Sequence, residues 1–277
     1  MMKIAILGST GSIGLTALSI LRKNKKNFKV VLLSTNSNIN KIFKQAKEFN
    51  VKNIIISGKK LNHSWKKKFK KNNITIFYNF GNFEKIVKKK LDYTLNSISG
   101  IDGLEPTINI IKFTKKIAIA NKESIICGWN LINKELIKNK TKFIPVDSEH
   151  FSIFKLLNKE DSKLIKKIII TASGGPFLYK KNNFKKIKVK DALKHPNWKM
   201  GKKITIDSST LMNKVFEVIE AKKIFNIDLK KFKIVVHPKS YVHAIVKFKN
   251  GLTKILIHDT DMKIPIFNSI YTNYQKP

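Results

Sequence analysis

Residues 3–7, Lys-Ile-Ala-Ile-Leu, run straight into Gly8-Ser9-Thr10-Gly11-Ser12-Ile13-Gly14, after which the apolar positions take on a helical period over Ile13–Leu21. Strand, glycine turn and helix in that order form the opening of a βα unit. Its turn presents backbone N–H groups at the positive end of a helix dipole, where a pyrophosphate can sit. The spacing is G-x-x-G-x-x-G rather than the commoner G-x-G-x-x-G. The glycines still permit a tight turn, close backbone approach and helix packing. Such a turn also occurs as plain structure, so its neighbourhood has to decide.

Further short β-rich runs follow at Val30–Leu33, Val51–Ser57, Ile74–Tyr78 and Ile117–Ala120, with helix-like stretches between them. This alternation predicts an α/β architecture, a Rossmann-like doubly wound parallel sheet. After Phe143-Ile144-Pro145-Val146 the texture changes to more Ser, His, Trp and acidic residues, which places a domain boundary there. With 277 residues the chain has room for two domains. They are expected at 1–146 (dinucleotide-binding) and 147–277 (an α+β catalytic domain). Late in the second, Lys233–His237, Ala244–Lys249 and Leu252–Ile257 read as strands, the last two joined by Asn250-Gly251 as an antiparallel hairpin. The stretch Leu61–Asn73 reads as a solvated surface element.

The formal charge is +38, but only one of the 56 basic residues is an arginine, Arg22. Nucleic-acid readers favour the planar arginine fork, whereas here lysine is scattered along the whole chain, as in Lys66–Asn73 and Lys180–Lys190. No specific nucleic-acid partner is expected, only loose, salt-sensitive adhesion. The single cysteine, Cys127, excludes an internal disulfide and any cysteine-built metal site, and is expected to pack in the interior. There is no uninterrupted apolar run of about 18 residues, and Met1-Met2-Lys3 leads directly into the first strand. The expectation is a cytoplasmic protein with no membrane partner.

The end of the second strand should meet the adenosine ribose. It reads Ser34-Thr35-Asn36-Ser37-Asn38, with no acidic residue to repel a 2′-phosphate, which favours NADPH over NADH. Asn36 and Ser37 are assigned to the cofactor on this position alone. Pro145-Val146-Asp147-Ser148-Glu149-His150 sets two carboxylates two apart; in extended backbone they project to one face and can clamp a hard divalent cation. Acidic loop residues are more often merely solvated, so a second feature is needed. It comes at Asp207-Ser208-Ser209-Thr210, a cap-like cluster leading into a helix that carries Asn213, Lys214 and Glu217. Asn213 and Glu217, four apart, share a helix face. Glu217 offers a third oxygen ligand, and Asn213 and Lys214 offer donors for a substrate phosphate.

From Lys3 to about Pro265 the sequence resembles the 1-deoxy-D-xylulose 5-phosphate reductoisomerase family. The resemblance rests on Gly8–Gly14, Gly100–Thr107, Ala120-Asn121-Lys122-Glu123-Ser124, Pro145–His150, Ser173-Gly174-Gly175-Pro176-Phe177, His195-Pro196-Asn197-Trp198, Met200-Gly201 and Asp207–Glu217. It implies that Asp147, Glu149 and Glu217 hold Mg²⁺ or Mn²⁺. It also implies that Ser148, Ser173, Ser208, Asn213 and Lys214 contact a sugar-phosphate substrate, and that Lys122, Glu149 and His195 are substrate-contacting catalytic residues. Thr10, Gly11, Ser12, Ile13, Asn38, Asn121, Glu123 and Gly201 match cofactor contacts. Asn197–Lys203, with Trp198 and Met200, resembles a flap over the substrate, and Met262 a position near the nicotinamide. Some relatives carry a basic residue where this chain has Ser37.

The implied reaction rearranges a metal-chelated α-ketol to an aldehyde and reduces it with NADPH to 2-C-methyl-D-erythritol 4-phosphate, for isoprenoid precursors, in a homodimer. The chain reaches Pro277 where the family continues into a C-terminal helical segment, expected here to be absent. The competing expectation is an inactive or fragmentary relative that keeps dinucleotide binding and adheres to RNA through its basic surface.

Overall fold

The computed structural model describes residues 1–179, 187–196, 198 and 201–271. The chain divides into two compact units, one of residues 1–146 with 266–277 and one of residues 147–265.

The first unit is built on a seven-stranded parallel sheet of β1 (Met2–Leu7), β2 (Phe28–Thr35), β3 (Asn53–Ile56), β4 (Thr75–Phe77), β5 (Tyr93–Asn96), β6 (Lys116–Ile119) and β7 (Lys142–Pro145). The spatial order is β4-β3-β2-β1-β5-β6-β7, so the winding reverses between β1 and β5. Parallel strands covered on both faces read as continuous apolar runs. That is why β1 announces itself in the sequence and why Ile4, Ala5, Ile6 and Leu7 are all buried. The crossovers carry α1 (Ser12–Lys23), α2 (Ile39–Glu48), α3 (His63–Lys71), α4 (Phe83–Ile86), α5 (Leu104–Ile111) and α6 (Lys122–Asn139). β5 is a strand the periodicity did not single out, because Tyr-Thr-Leu-Asn carries too little apolar signal; all four residues are nevertheless buried. The solvated stretch 61–73 contains α3, anchored by the buried Phe69.

The second unit holds a four-stranded mixed sheet, in the order β11-β10-β8-β9, of β8 (Ile165–Ala172), β9 (Phe232–Val236), β10 (Val242–Phe248) and β11 (Thr253–Ile257). β10 and β11 form the expected antiparallel hairpin, turning at Gly251 with φ +87°. α7 (Ser148–Leu156), α8 (Val189–Ala192), α9 (Lys202–Ser209) and α10 (Met212–Phe225) complete it, followed by α11 (Lys263–Ile270). A core of Ile153, Leu156, Ile168, Ile170, Ala221, Val246 and Phe248 joins α7 and α10 to the sheet.

Two expectations are corrected. The second domain was expected to run to residue 277, but the segment from Ile266 clusters with the first unit. There the Tyr93 hydroxyl meets that of Ser269 at 2.7 Å, and the Tyr271 ring lies edge-on to Phe28 at 5.5 Å. Cys127 is exposed on α6 instead of packed inside. No helix among the described residues is long and apolar enough to cross a membrane.

Candidate active site

In the first unit the phosphate turn sits where the sequence put it. Gly8 has φ +77°, and a Cβ there would meet the Ser97 backbone at 2.8 Å, so only glycine fits without displacing β5. Gly11 is the N-cap of α1 and, lacking a side chain, leaves the first-turn amides, those of Ser12 and Ile13 among them, without a side-chain cap. The turn is braced from below: Ser9 Oγ donates to Gln45 Oε1 at 2.8 Å, Gln45 Nε2 donates to the Ser9 carbonyl at 2.9 Å, and Gly8 N–H donates to Ser34 Oγ at 2.9 Å. Thr10 and Thr35 hydroxyls lie 2.7 Å apart, fixing the turn to the end of β2. A cleft of about 730 Å³ opens here, lined by Thr10, Gly11, Thr35 and Asn36 and also by Tyr78, Phe80, Ile98, Asp102 and Glu105. Asp102 and Glu105 fall in the Gly100–Thr107 stretch with no role assigned to them by sequence, Glu105 in the first turn of α5. Tyr78, Phe80 and Ile98 were not assigned to the site, because they follow β4 and β5 and only the sheet order brings them alongside β1.

Asn38 spends its side chain as the N-cap of α2, accepting from Lys41 N–H at 3.2 Å, and Ser37 is exposed beside it. Asn121 caps α6 by accepting from Ser124 N–H at 2.7 Å, while its amide donates to the carbonyls of Ile98 and Gly100. In this structure its side chain therefore stitches the loop after β5. Lys122 and Glu123 open α6, Lys122 buried and Glu123 half-buried. Gly201, expected at the cofactor, belongs to the second unit as the N-cap of α9.

In the second unit, Asp147, Glu149 and Glu217 converge with one carboxylate oxygen of each within 4.8 Å of the others. The sequence expectation of extended backbone is corrected: Asp147 is the N-cap of α7 and Glu149 lies in its first turn. An N-cap aspartate ordinarily accepts from a first-turn amide, but Asp147 makes no such bond, so its carboxylate is not spent on the helix. Similarly, Asp207–Ser209 do not cap α10. They end α9, and Leu211 makes the junction in the left-handed region at φ +59°.

Lys214 Nζ donates to Glu149 Oε1 at 2.5 Å and to Glu217 Oε2 at 2.6 Å, and Asn213 Nδ2 donates to Glu217 Oε1 at 2.5 Å. Ser148 Oγ donates to Glu149 Oε2 at 2.6 Å. Thus Ser148, Asn213 and Lys214, expected at the substrate, here hold the carboxylates. Burial raises the Glu149 pKa, but the Lys214 ammonium outweighs it and the carboxyl ends below its usual range. Burial likewise acts to lower Lys214, and the two glutamates overcome it. The donor set fits a hard dication: three oxygen-only anions converge, and a cation already bridges two of them.

His195 Nδ1 accepts from Trp198 N–H at 3.0 Å, so Nε2 carries the ring proton and donates to Ser173 Oγ at 2.9 Å. Burial, then the charge of Lys214, lowers the His195 pKa and keeps the ring neutral at pH 7. Gly175, φ +69°, lies so close to the Ser208 carbonyl that a Cβ would approach it to 2.6 Å. Ser173, Ser208 and His195 are thereby grouped around one glycine pair. Of the expected flap, Asn197, Lys199 and Met200 lie outside the described residues. Trp198 stands edge-on to His243 at 6.0 Å, and Met262 is half-buried ahead of α11.

Two site residues escaped sequence reasoning. His150, fully buried, donates from Nε2 to the Glu217 carbonyl at 2.8 Å, and its Nδ1 lies 3.4 Å from Glu220 Oε2 and 3.8 Å from Asp147 Oδ2. The signal for Glu220 was present: it is three residues beyond Glu217 on α10 and so shares its face.

The family model for 1-deoxy-D-xylulose 5-phosphate reductoisomerase matches residues 4–128, and that for the C-terminal domain of the same enzyme matches 143–225. The 1-deoxy-D-xylulose 5-phosphate reductoisomerase of Pelagibacter ubique is 60% identical over 279 residues, spanning 100% of this chain and 72% of that protein. The chain belongs to this reductoisomerase family. The Chloroherpeton thalassium reductoisomerase is 42% identical, over 96% of this chain and 69% of its own. A crystal structure of the reductoisomerase in complex with NADPH, fosmidomycin and magnesium superposes with a TM-score of 0.89 at 32% identity, over 100% of this chain and 70% of that one. The Zymomonas mobilis reductoisomerase in complex with NADPH gives 0.88 at 32% identity, over 100% and 72%. An archaeal homoserine dehydrogenase, 12% identical with a TM-score of 0.61, shares the fold alone. Within the reductoisomerase family, the α/β Rossmann-like expectation and the sequence resemblance both stand.

Proposed function

We propose that this chain performs the reductoisomerase reaction, converting 1-deoxy-D-xylulose 5-phosphate to 2-C-methyl-D-erythritol 4-phosphate with NADPH and Mg²⁺ or Mn²⁺. The observation that carries this reading is the convergence of half-buried Asp147 with buried Glu149 and Glu217 in a chain with only 18 acidic residues. A divalent ion bound there would act as a Lewis acid on the two oxygens of an α-ketol.

The chain's own residues supply the rest. Residues 1–146 bind the dinucleotide through the Gly8–Gly14 turn, with Thr10, Gly11, Ser12 and Ile13 at the pyrophosphate and Asn36, Ser37 and Asn38 at the ribose. Residues from 147 onward carry the metal and substrate groups. Asp147, Glu149 and Glu217 hold the cation; His150 and Glu220, whose ligand atoms lie within 4.8 Å of an Asp147 carboxylate oxygen, stand where outer groups orient ligands in other metal sites. Lys214 carries positive charge among the carboxylates and is the natural donor to a substrate phosphate once a metal shares them. Asn213, Ser208 and Ser173 complete that phosphate grip, with neutral His195 setting the Ser173 hydroxyl. Phosphate contacts remote from the reacting carbons fix orientation. Lys122 and Ser148 touch substrate; Asn121, Glu123 and Gly201 touch the cofactor. We further infer a homodimer working in the cytoplasm.

The test is NADPH absorbance decay on addition of 1-deoxy-D-xylulose 5-phosphate, with Mn²⁺ and then with chelator. Decay that requires metal supports the reading; NADPH binding without decay favours the inactive relative.

A further inference from the structure

An NADPH enzyme needs positive charge where the 2′-phosphate lies, and the end of β2 offers none: Asn36, Ser37 and Asn38 are uncharged. Asn36 is also held in place, since Gly58 N–H donates to its carbonyl at 2.9 Å and a Cβ on Gly58 would strike its side chain at 2.3 Å. The structure supplies a cation from another element. Asn38 caps α2, which sets Lys41 in its first turn. The half-buried Lys41 side chain turns back so that Nζ donates to the Thr10 carbonyl at 3.3 Å. Thr10 is tied to Thr35 at the end of β2. The ammonium therefore stands against Thr10, which lines the cleft and is tied to the ribose end of the strand.

Arg22 and Lys25 are paired with Glu48, whereas among the described residues no carboxylate forms a salt bridge with Lys41. The carboxylates that line the cleft, Asp102 and Glu105, follow β5, on the other side of β1 from β2. A lysine ammonium is a point charge well suited to a phosphate monoester.

We propose that Lys41 is the residue that recognises the 2′-phosphate of NADPH and sets this chain's preference for NADPH over NADH. The proposal rests on the NADPH reading above, so its test is made by binding, separately from turnover. Dissociation constants for NADPH, NADH and 2′,5′-ADP are measured on the full chain and on the Lys41→Met and Lys41→Arg variants. Loss of one charge-assisted contact is expected to weaken NADPH and 2′,5′-ADP by about tenfold or more in Lys41→Met. NADH should stay within about twofold, and Lys41→Arg should retain most NADPH affinity. Parallel weakening of NADPH and NADH would mean that Lys41 only props the Thr10 turn, and an unchanged NADPH affinity would remove it from the site; either overturns the proposal. A wild-type chain that binds no dinucleotide would instead sink the cofactor reading on which the proposal rests.

Discussion

Lys214 and Glu149, 65 residues apart in sequence, meet at 2.5 Å with both side chains nearly sealed from solvent. Glu217, 1% exposed, takes the same ammonium at 2.6 Å. Removing one member of a buried ion pair leaves the other charge uncompensated, which costs about 3–5 kcal/mol. Lys214→Met is therefore expected to lower thermal stability markedly in chelator. Mn²⁺ should restore most of that loss, because it replaces the missing positive charge. A melting temperature that drops equally with and without Mn²⁺ would contradict a cation site at these carboxylates.

Glu217→Gln keeps the shape and the Asn213 contact but removes one anionic ligand. Loss of Lewis-acid stabilisation worth several kcal/mol corresponds to a turnover fall of roughly a thousandfold. NADPH affinity, measured by fluorescence, should not move. Near-normal metal-dependent rates in this variant would sink the three-carboxylate site.

Glu220 lies outside the trio and faces His150 Nδ1 at 3.4 Å. If His150 and Glu220 hold Asp147 in place, Glu220→Ala should weaken Mn²⁺ binding by about 10–100-fold, as removal of outer-shell partners does elsewhere. Titration calorimetry gives the answer directly; unchanged affinity would make the pair a packing feature.

A Cβ on Gly14 would lie 2.5 Å from both the Gly8 carbonyl oxygen and the Ser9 Cα. Those atoms are backbone and cannot swing aside. Gly14→Ala should cost about 1–3 kcal/mol through overpacking and open the turn that holds the pyrophosphate. Denaturant melts and NADPH titration check the two effects, and wild-type values in both would show that the turn tolerates the methyl.

Lys116 on β6 donates to the Ile270 carbonyl at 3.1 Å, and burial, reinforced by the Lys142 charge, lowers its pKa to about 8. Between this value and the usual lysine value of 10.5 the unfolded chain binds the proton that the folded chain has released. Stability from this group therefore rises with pH across that window. Denaturation of wild type and Lys116→Met from pH 7.5 to pH 10.5 should show wild type gaining on the variant as pH rises; a constant difference would place the pKa elsewhere.

Sequence by itself fixed what depends on neighbours along the chain. The buried run before Gly8, the glycine turn, the Asn250-Gly251 hairpin and the residue types of Asp147, Glu149 and Glu217 were all legible, because strand period, turn chemistry and ligand charge are local properties. Tertiary structure decided what depends on distant partners. β5 is a strand because it pairs with β1 and β6, not because Tyr-Thr-Leu-Asn looks like one. The same dependence explains why Lys214 grips carboxylates in this structure, why Glu220 reaches His150, why Lys41 turns to Thr10, and why the segment from Ile266 joins the first unit. In each case the side chain's environment comes from elements tens of residues away, and burial and Coulomb forces act on distance in space, to which spacing along the chain is blind.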